Sequence, residues 1–128
     1  MSHKKFPEFY PQGLTVPHPN AESQSFECLY RLADQSPAKQ ADFKAKCQEP
    51  CRPSYIRKNS NNPRFYGTSF STCKHKLEHL KAAHPDQFGP KLITSGEVED
   101  SLGVSLVETK HVCVWFYKDC FPTGFTES

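Results

Sequence analysis

A chain of 128 residues has room for one small domain with tails, which excludes a multidomain enzyme, a polymerase or a complete transposase. Leu, Ile, Val and Phe make up 26 of those residues, and the net charge is +2. The first figure predicts a thin core, and the second keeps the chain out of the highly charged disordered class. The charge is uneven. Residues 1–38 hold three basic and four acidic groups, residues 39–84 ten and three, and residues 85–128 three and seven. A basic centre between acidic ends is the footprint of a module that meets a polyanion.

The opening Met-Ser-His-Lys-Lys-Phe-Pro-Glu carries no apolar run of the secretory kind, so a reducing compartment is expected for the six cysteines, held as thiols or by a metal. No stretch is long and apolar enough for a transmembrane helix, and a soluble protein without a membrane partner is expected.

Taken in chain order, residues 1–24 contain Pro7, Pro11, Pro17 and Pro19 and are predicted to form an extended arm, with His3 and His18 in solvent. From Ser25, Phe26, Leu29, Tyr30 and Ala33 fall at i, i+3, i+4 and i+7, which predicts a helix ending before Ser36-Pro37, with Cys28 buried on its apolar side. Residues 41–46 read as a short strand or turn. Residues 53–67 predict a hairpin, with strands at 55–57 and 64–66 around an Asn/Ser turn. A basic amphipathic helix is expected from Thr68 or Ser69 to Pro85, with Phe70, Cys73, Leu77, Leu80 and His84 along one face. After Gly89-Pro90 the chain loosens. Residues 104–109 and 112–117 then predict a β-pair turning at Lys110-His111, with Trp115, Phe116 and Tyr117 as the densest aromatic cluster.

Cys47-Gln-Glu-Pro-Cys51 is a C-x3-C pair, and His79-Leu-Lys-Ala-Ala-His84 is an H-x4-H pair at a helix end. Zinc takes four thiolate or imidazole ligands in a tetrahedron, so Cys47, Cys51, His79 and His84 are the candidate Zn2+ ligands. The 27 residues between Cys51 and His79 exceed the 12–15 of a standard finger. His75 or Cys73, close by on the same predicted helix, is an alternative ligand. His111, Cys113 and Cys120 form a partial second set, with strand packing as the competing reading.

Phe43-Lys-Ala-Lys-Cys47-Gln-Glu-Pro-Cys51, Gly67-Thr-Ser-Phe-Ser-Thr72 and Lys76-Leu-Glu-His79-Leu-Lys-Ala-Ala-His84-Pro85 together resemble the BED-type zinc finger of hAT-family transposases and proteins derived from them. The resemblance covers residues 26–88, and the His-Leu-Lys…His-Pro end is its most specific part. It implies a DNA-binding domain with the helix start and its basic residues near the DNA.

On that reading Lys74, Lys76 and Lys81 neutralise phosphates, and Ser69, Ser71 and Thr72 hydrogen-bond them. Arg52, Arg57, Lys58 and Arg64 on the hairpin add a second contact surface. No phosphate loop, metalloprotease motif or carboxylate cluster is present in the sequence, and no catalysis is expected.

The predicted class is α+β: a small zinc-finger domain of β-hairpin plus helix, with a preceding helix and a C-terminal β-hairpin. Its divisions are the arm (1–24), the BED-like finger (25–88) and the acidic linker with aromatic hairpin (89–128). The expected function is that of a nuclear, zinc-dependent factor, a transcription or chromatin regulator or a transposase-derived protein, that binds double-stranded DNA, with a homodimer as one way to strengthen binding. The alternative is a zinc-stabilised adaptor that docks a regulatory or viral host-factor partner through Trp115, Phe116 and Tyr117.

Overall fold

In the computed structural model, which describes residues 5–128, the segment expected to form the first helix is a strand, β1 (Phe26–Ala33). Its buried positions are Leu29, Arg31 and Ala33, every second residue. A charged side chain at the middle of these inward positions hides the strand's alternation in the sequence. An irregularity in pairing between Phe26 and Leu29 shifts the phase of the apolar residues before it, so the apolar spacing imitates a helix.

Arg31 is retained inside because its donors are matched. Its Nε donates to the carbonyl of Asp42 at 2.7 Å, and its two terminal nitrogens donate to the carbonyls of Ser69 at 2.6 Å and Lys44 at 3.3 Å. Its guanidinium lies 5.7 Å from the centre of the Phe70 ring. Burial lowers the pKa of Arg31, opposed by the charges of Glu49 and Asp42. The carboxylate of Asp42 in turn accepts the backbone N–H groups of Asp34 and Lys39 and the amide of Gln35. Burial pushes the Asp42 carboxyl up, but these bonds and the charge of Lys91 outweigh it, and its pKa falls below the usual value. The 3-10 turn Gln40–Phe43 is thereby fastened against β1.

The predicted hairpin of residues 53–67 is replaced by α1 (Pro53–Asn59) and a 3-10 turn, Pro63–Tyr66. A proline opens each, where its missing N–H costs nothing, and the side chain of Asn62 accepts the Arg64 N–H at 3.1 Å. The basic helix starts later than expected. Residues 68–71 form β2 (Thr68–Ser71), and α2 spans Lys74–Ala83, followed by α3 (Pro85–Phe88). The Ser71 hydroxyl accepts the Cys73 N–H at 3.1 Å and satisfies a donor as the chain turns from strand to helix. Phe70 is consequently a sheet residue, and of the predicted helix face Leu77 is buried while His84 is exposed.

Strand β3 (Leu92–Val98) and the short β6 (Thr126–Glu127) lie where no strand was expected. The C-terminal pair forms as expected, as β4 (Gly103–Glu108) and β5 (His111–Phe116). Its turn lies one residue earlier, with Lys110 at φ 58°. The six strands make one antiparallel sheet in the order β4-β5-β2-β1-β3-β6, so the hairpin continues the same sheet. Mixed helix and antiparallel strand is therefore the class.

One face of the sheet carries Leu29, Phe70, Val98, Val112, Val114 and Phe116, covered by Phe43 and Phe125. Trp115 and Phe116 are buried, and the Trp115 indole donates to the Pro63 carbonyl at 3.0 Å. These two aromatics serve the interior and are withdrawn from any docking surface, while Tyr117 is half-buried. Cys28 is exposed, against the expectation that it is buried, and Cys73 is half-buried.

Of the arm, residues 5–24 fold back onto the sheet. Glu22 and Ser105 exchange backbone hydrogen bonds, and Phe6 packs against Tyr117 with ring centroids 5.0 Å apart. His18 is half-buried, and His3 lies outside the described residues.

Replacing Arg31 by Met leaves three carbonyls without their donor and is expected to cost about 3 kcal/mol, read as a fall in the urea midpoint. Arg31→Lys, which cannot reproduce the planar fork, recovers only part of the loss.

Candidate nucleic-acid interface

The second face of the sheet is built by the same registers. Ser69 lies opposite Cys113, and Ser71 lies opposite both His111 and Tyr30. Because side chains alternate, Tyr30, Ser69, Ser71 and His111 share the face away from the phenylalanine core. Helix α2 packs over β1, β2 and β3 on this side. The turn Pro63–Tyr66 sits over Cys113 and Trp115, whose Sγ and indole donate to the carbonyls of Arg64 and Pro63. Between α2 and the α1 region runs a groove of about 700 Å³.

Its lining is basic. Lys46, Arg64, Lys76 and Lys91 border it, and among the described residues that line it Glu49 is the one acid. Two of these cations are already engaged: Arg64 holds Glu108 through two hydrogen bonds of 2.7 and 3.2 Å, and Lys91 holds Asp34 at 2.6 Å. The hydrogen bond from Glu108 raises the Arg64 pKa. Lys46 and Lys76 make no ion pair among the described residues. The Lys46 ammonium stands 5.5 Å from the centre of the Tyr55 ring, a cation–π contact, and Tyr55 in turn tilts against Phe65. Burial lowers the pKa of His111, and the charge of Lys76, an exposed residue at the groove's edge, lowers it further.

Of the residues predicted to contact nucleic acid, Arg64, Ser69, Ser71 and Lys76 line the groove. Arg57 and Lys58 are exposed on α1, Arg52 is exposed just before it, and Thr72 is exposed before α2. Lys74 is half-buried, and Lys81 donates to the backbone carbonyl of Lys91, so it fastens the end of α2 to the chain entering β3. The contributions of Tyr30, Lys46, Tyr55, Lys91 and His111 escaped the sequence reading. Only the cluster of charge in residues 39–84 hinted at Lys46.

The zinc candidates divide into two pairs. Cys47 and Cys51 are half-buried. Burial raises the Cys47 thiol pKa, a backbone hydrogen bond opposes the rise, and neighbouring Cys51 adds to it. The Cys51 thiol donates to the Lys46 carbonyl at 3.6 Å. His79 and His84 are both exposed, His79 on α2 at the groove's edge and His84 just beyond the helix, edge-on to Phe88. Of the alternatives, His75 contacts Glu78 at 3.0 Å, and Cys73 stands at the position before α2 without a side-chain hydrogen bond to the helix.

The donor types are those zinc takes, and the cysteine half of the set is together. Among the described residues, however, no three His, Cys, Asp or Glu side chains form a group able to hold a metal ion. In the partial second set, His111 and Cys113 share a strand face as expected, and burial pushes the Cys113 thiol up to about 12. Among the described residues no helix is long and apolar enough to cross a membrane.

No family model, curated protein or solved structure matches the chain.

His111 supplies a pH test of this geometry. The unfolded imidazole takes its proton near pH 6.5, and the folded one at a lower pH. Stability is therefore unaffected by this group above about pH 6.5 and falls as pH drops from there through the folded pKa. The melting temperature of the wild type is expected to decline between pH 7 and 5 more than that of His111→Gln, as followed by circular dichroism.

Proposed function

We propose that the chain is a DNA-binding module that takes the phosphate backbone into the groove between α1 and α2. The observation that carries this reading is the pair of lysines, Lys46 and Lys76, which face a concave basic surface without an ion-pair partner among the described residues. Serine hydroxyls and His111 line the same groove. Positive charge gathered in a cleft attracts a polyanion more strongly than the same charge spread over a convex surface. Phosphate binding also favours protonated His111, so affinity rises as pH falls through its pKa.

Fluorescence anisotropy with labelled DNA over a salt series tests the proposal. Affinity is expected to fall steeply and linearly on a log–log plot of binding against salt, and Lys46→Ala and Lys76→Ala are each expected to reduce the slope by about one. Binding that ignores salt, or that both variants leave untouched, rejects it.

Zinc is a second reading, favoured by the neighbouring Cys47 and Cys51 thiols. Native mass spectrometry is expected to find one zinc per chain in the wild type and none in Cys47→Ala or His84→Ala. Zinc kept in His84→Ala moves that ligand position to His75 or Cys73, and a metal-free wild type rejects the reading.

A further inference from the structure

We infer that the strand received by this groove is single-stranded nucleic acid, with a base stacked on Tyr55 and the adjoining phosphate on Lys46. The inference rests on the nucleic-acid reading above and goes beyond it by naming the ligand's form.

Shape is the first reason. A protein reads a duplex by placing a protruding helix or ribbon in the major groove. Here α2, the longest helix among the described residues, lies along the sheet with Leu77 buried and its last turn tied by Lys81 to the Lys91 carbonyl. Two residues that the sequence reading set on its DNA-facing side, Lys76 and Lys81, are turned to the groove and to the backbone respectively. His75 and Glu78 contact each other at 3.0 Å on the helix, and both are exposed, so an acid accompanies the solvent face. Lys46 and Lys76, which have no ion-pair partner among the described residues, line a hollow, and a hollow admits a flexible strand in place of a convex duplex.

The second reason is the pairing of ring and charge. Tyr55 is 42% exposed, an unusual state for a large aromatic residue in a chain whose other rings are mostly covered. Lys46 stands 5.5 Å from its ring centroid. A nucleotide carries a flat π-face beside an anionic phosphate, and the ring with its adjacent ammonium answers both. Single-strand binders combine these elements, aromatic platforms for successive bases within a positive channel. Tyr30 on the floor is half-buried in the same groove and offers a second ring. A duplex keeps its base faces stacked inside and leaves Tyr55 nothing to stack on.

The experiment compares labelled oligo-dT and oligo-U of about 12 nucleotides with a DNA duplex of the same length, by anisotropy on the full chain at one salt concentration. Tighter binding of either single strand than of duplex is expected, with oligo-dT favoured if the ligand is DNA and oligo-U if it is RNA. Tyr55→Ala is expected to weaken single-strand binding roughly tenfold, while Tyr55→Phe retains it. Photocrosslinking of a 5-bromouracil oligomer to the wild type, mapped by mass spectrometry, gives a readout that no variant's folding can disturb, and adducts on Tyr55 or Tyr30 are expected. Duplex bound as tightly as single strand, or adducts confined to Arg52, Arg57 and Lys58 on the outside of α1, overturns this inference and leaves the DNA-binding proposal standing. Failure of all three nucleic acids to bind at low salt overturns both.

Discussion

The buried guanidinium of Arg31 is the constraint around which the fold is arranged. A charge removed from water is tolerated only where its donors are matched. Here three acceptors are backbone carbonyls from two segments: Asp42 and Lys44 in the loop after β1, and Ser69 in β2. Meeting them all fixes the loop against the strand pair. Phe43, inside that loop, is delivered into contact with Phe70, Phe116, Phe121 and Phe125. Asp42 completes the knot from its other end by capping Asp34 and Lys39.

That delivery bears on how so lean a chain builds an interior. Phenylalanine is its most frequent large apolar residue, ten in all, and each aromatic ring removes more surface from water than an aliphatic side chain. The core is a cluster of tilted and edge-on rings over one face of the sheet. The opposite face is less filled. There the short helices α1 and α2 stand apart, and the gap between them is the groove.

The same loop links the core to the groove. Lys44 surrenders its carbonyl to Arg31, and two residues later Lys46 donates its backbone N–H to the Gly67 carbonyl, which holds its side chain beside Tyr55. Gly67 itself has no room for a side chain, since a Cβ there would collide with the Cys113 sulfur. The position of one groove lysine therefore depends on packing beneath it.

Some of this was legible in the residues. The β4–β5 pair alternates over an unbroken run, Val112 and Val114 on one side and Cys113 and Trp115 on the other, so local pattern and tertiary environment agree. The gathering of basic residues between 39 and 84 was equally plain. The helical core of the last predicted helix survived as α2, while its first turn was lost to β2, because Thr68 and Phe70 pair across the sheet with Val114 and Val112 and non-local hydrogen bonds override local propensity. The cysteine and histidine spacings named a ligand set, and of that set only the Cys47–Cys51 half is gathered.

The sequence by itself determined the antiparallel hairpin at the C-terminal end, the basic centre, and the presence of a short amphipathic helix near residues 74–83, because each is set by neighbours along the chain. Only the tertiary structure decided that residues 26–33 are a strand. Their inward alternation includes an arginine, and its burial makes sense only once carbonyls from residues 42, 44 and 69 are brought to it. It also decided which cations face the groove, since Lys46, Arg64, Lys76 and Lys91 come from four segments that meet only when the sheet closes.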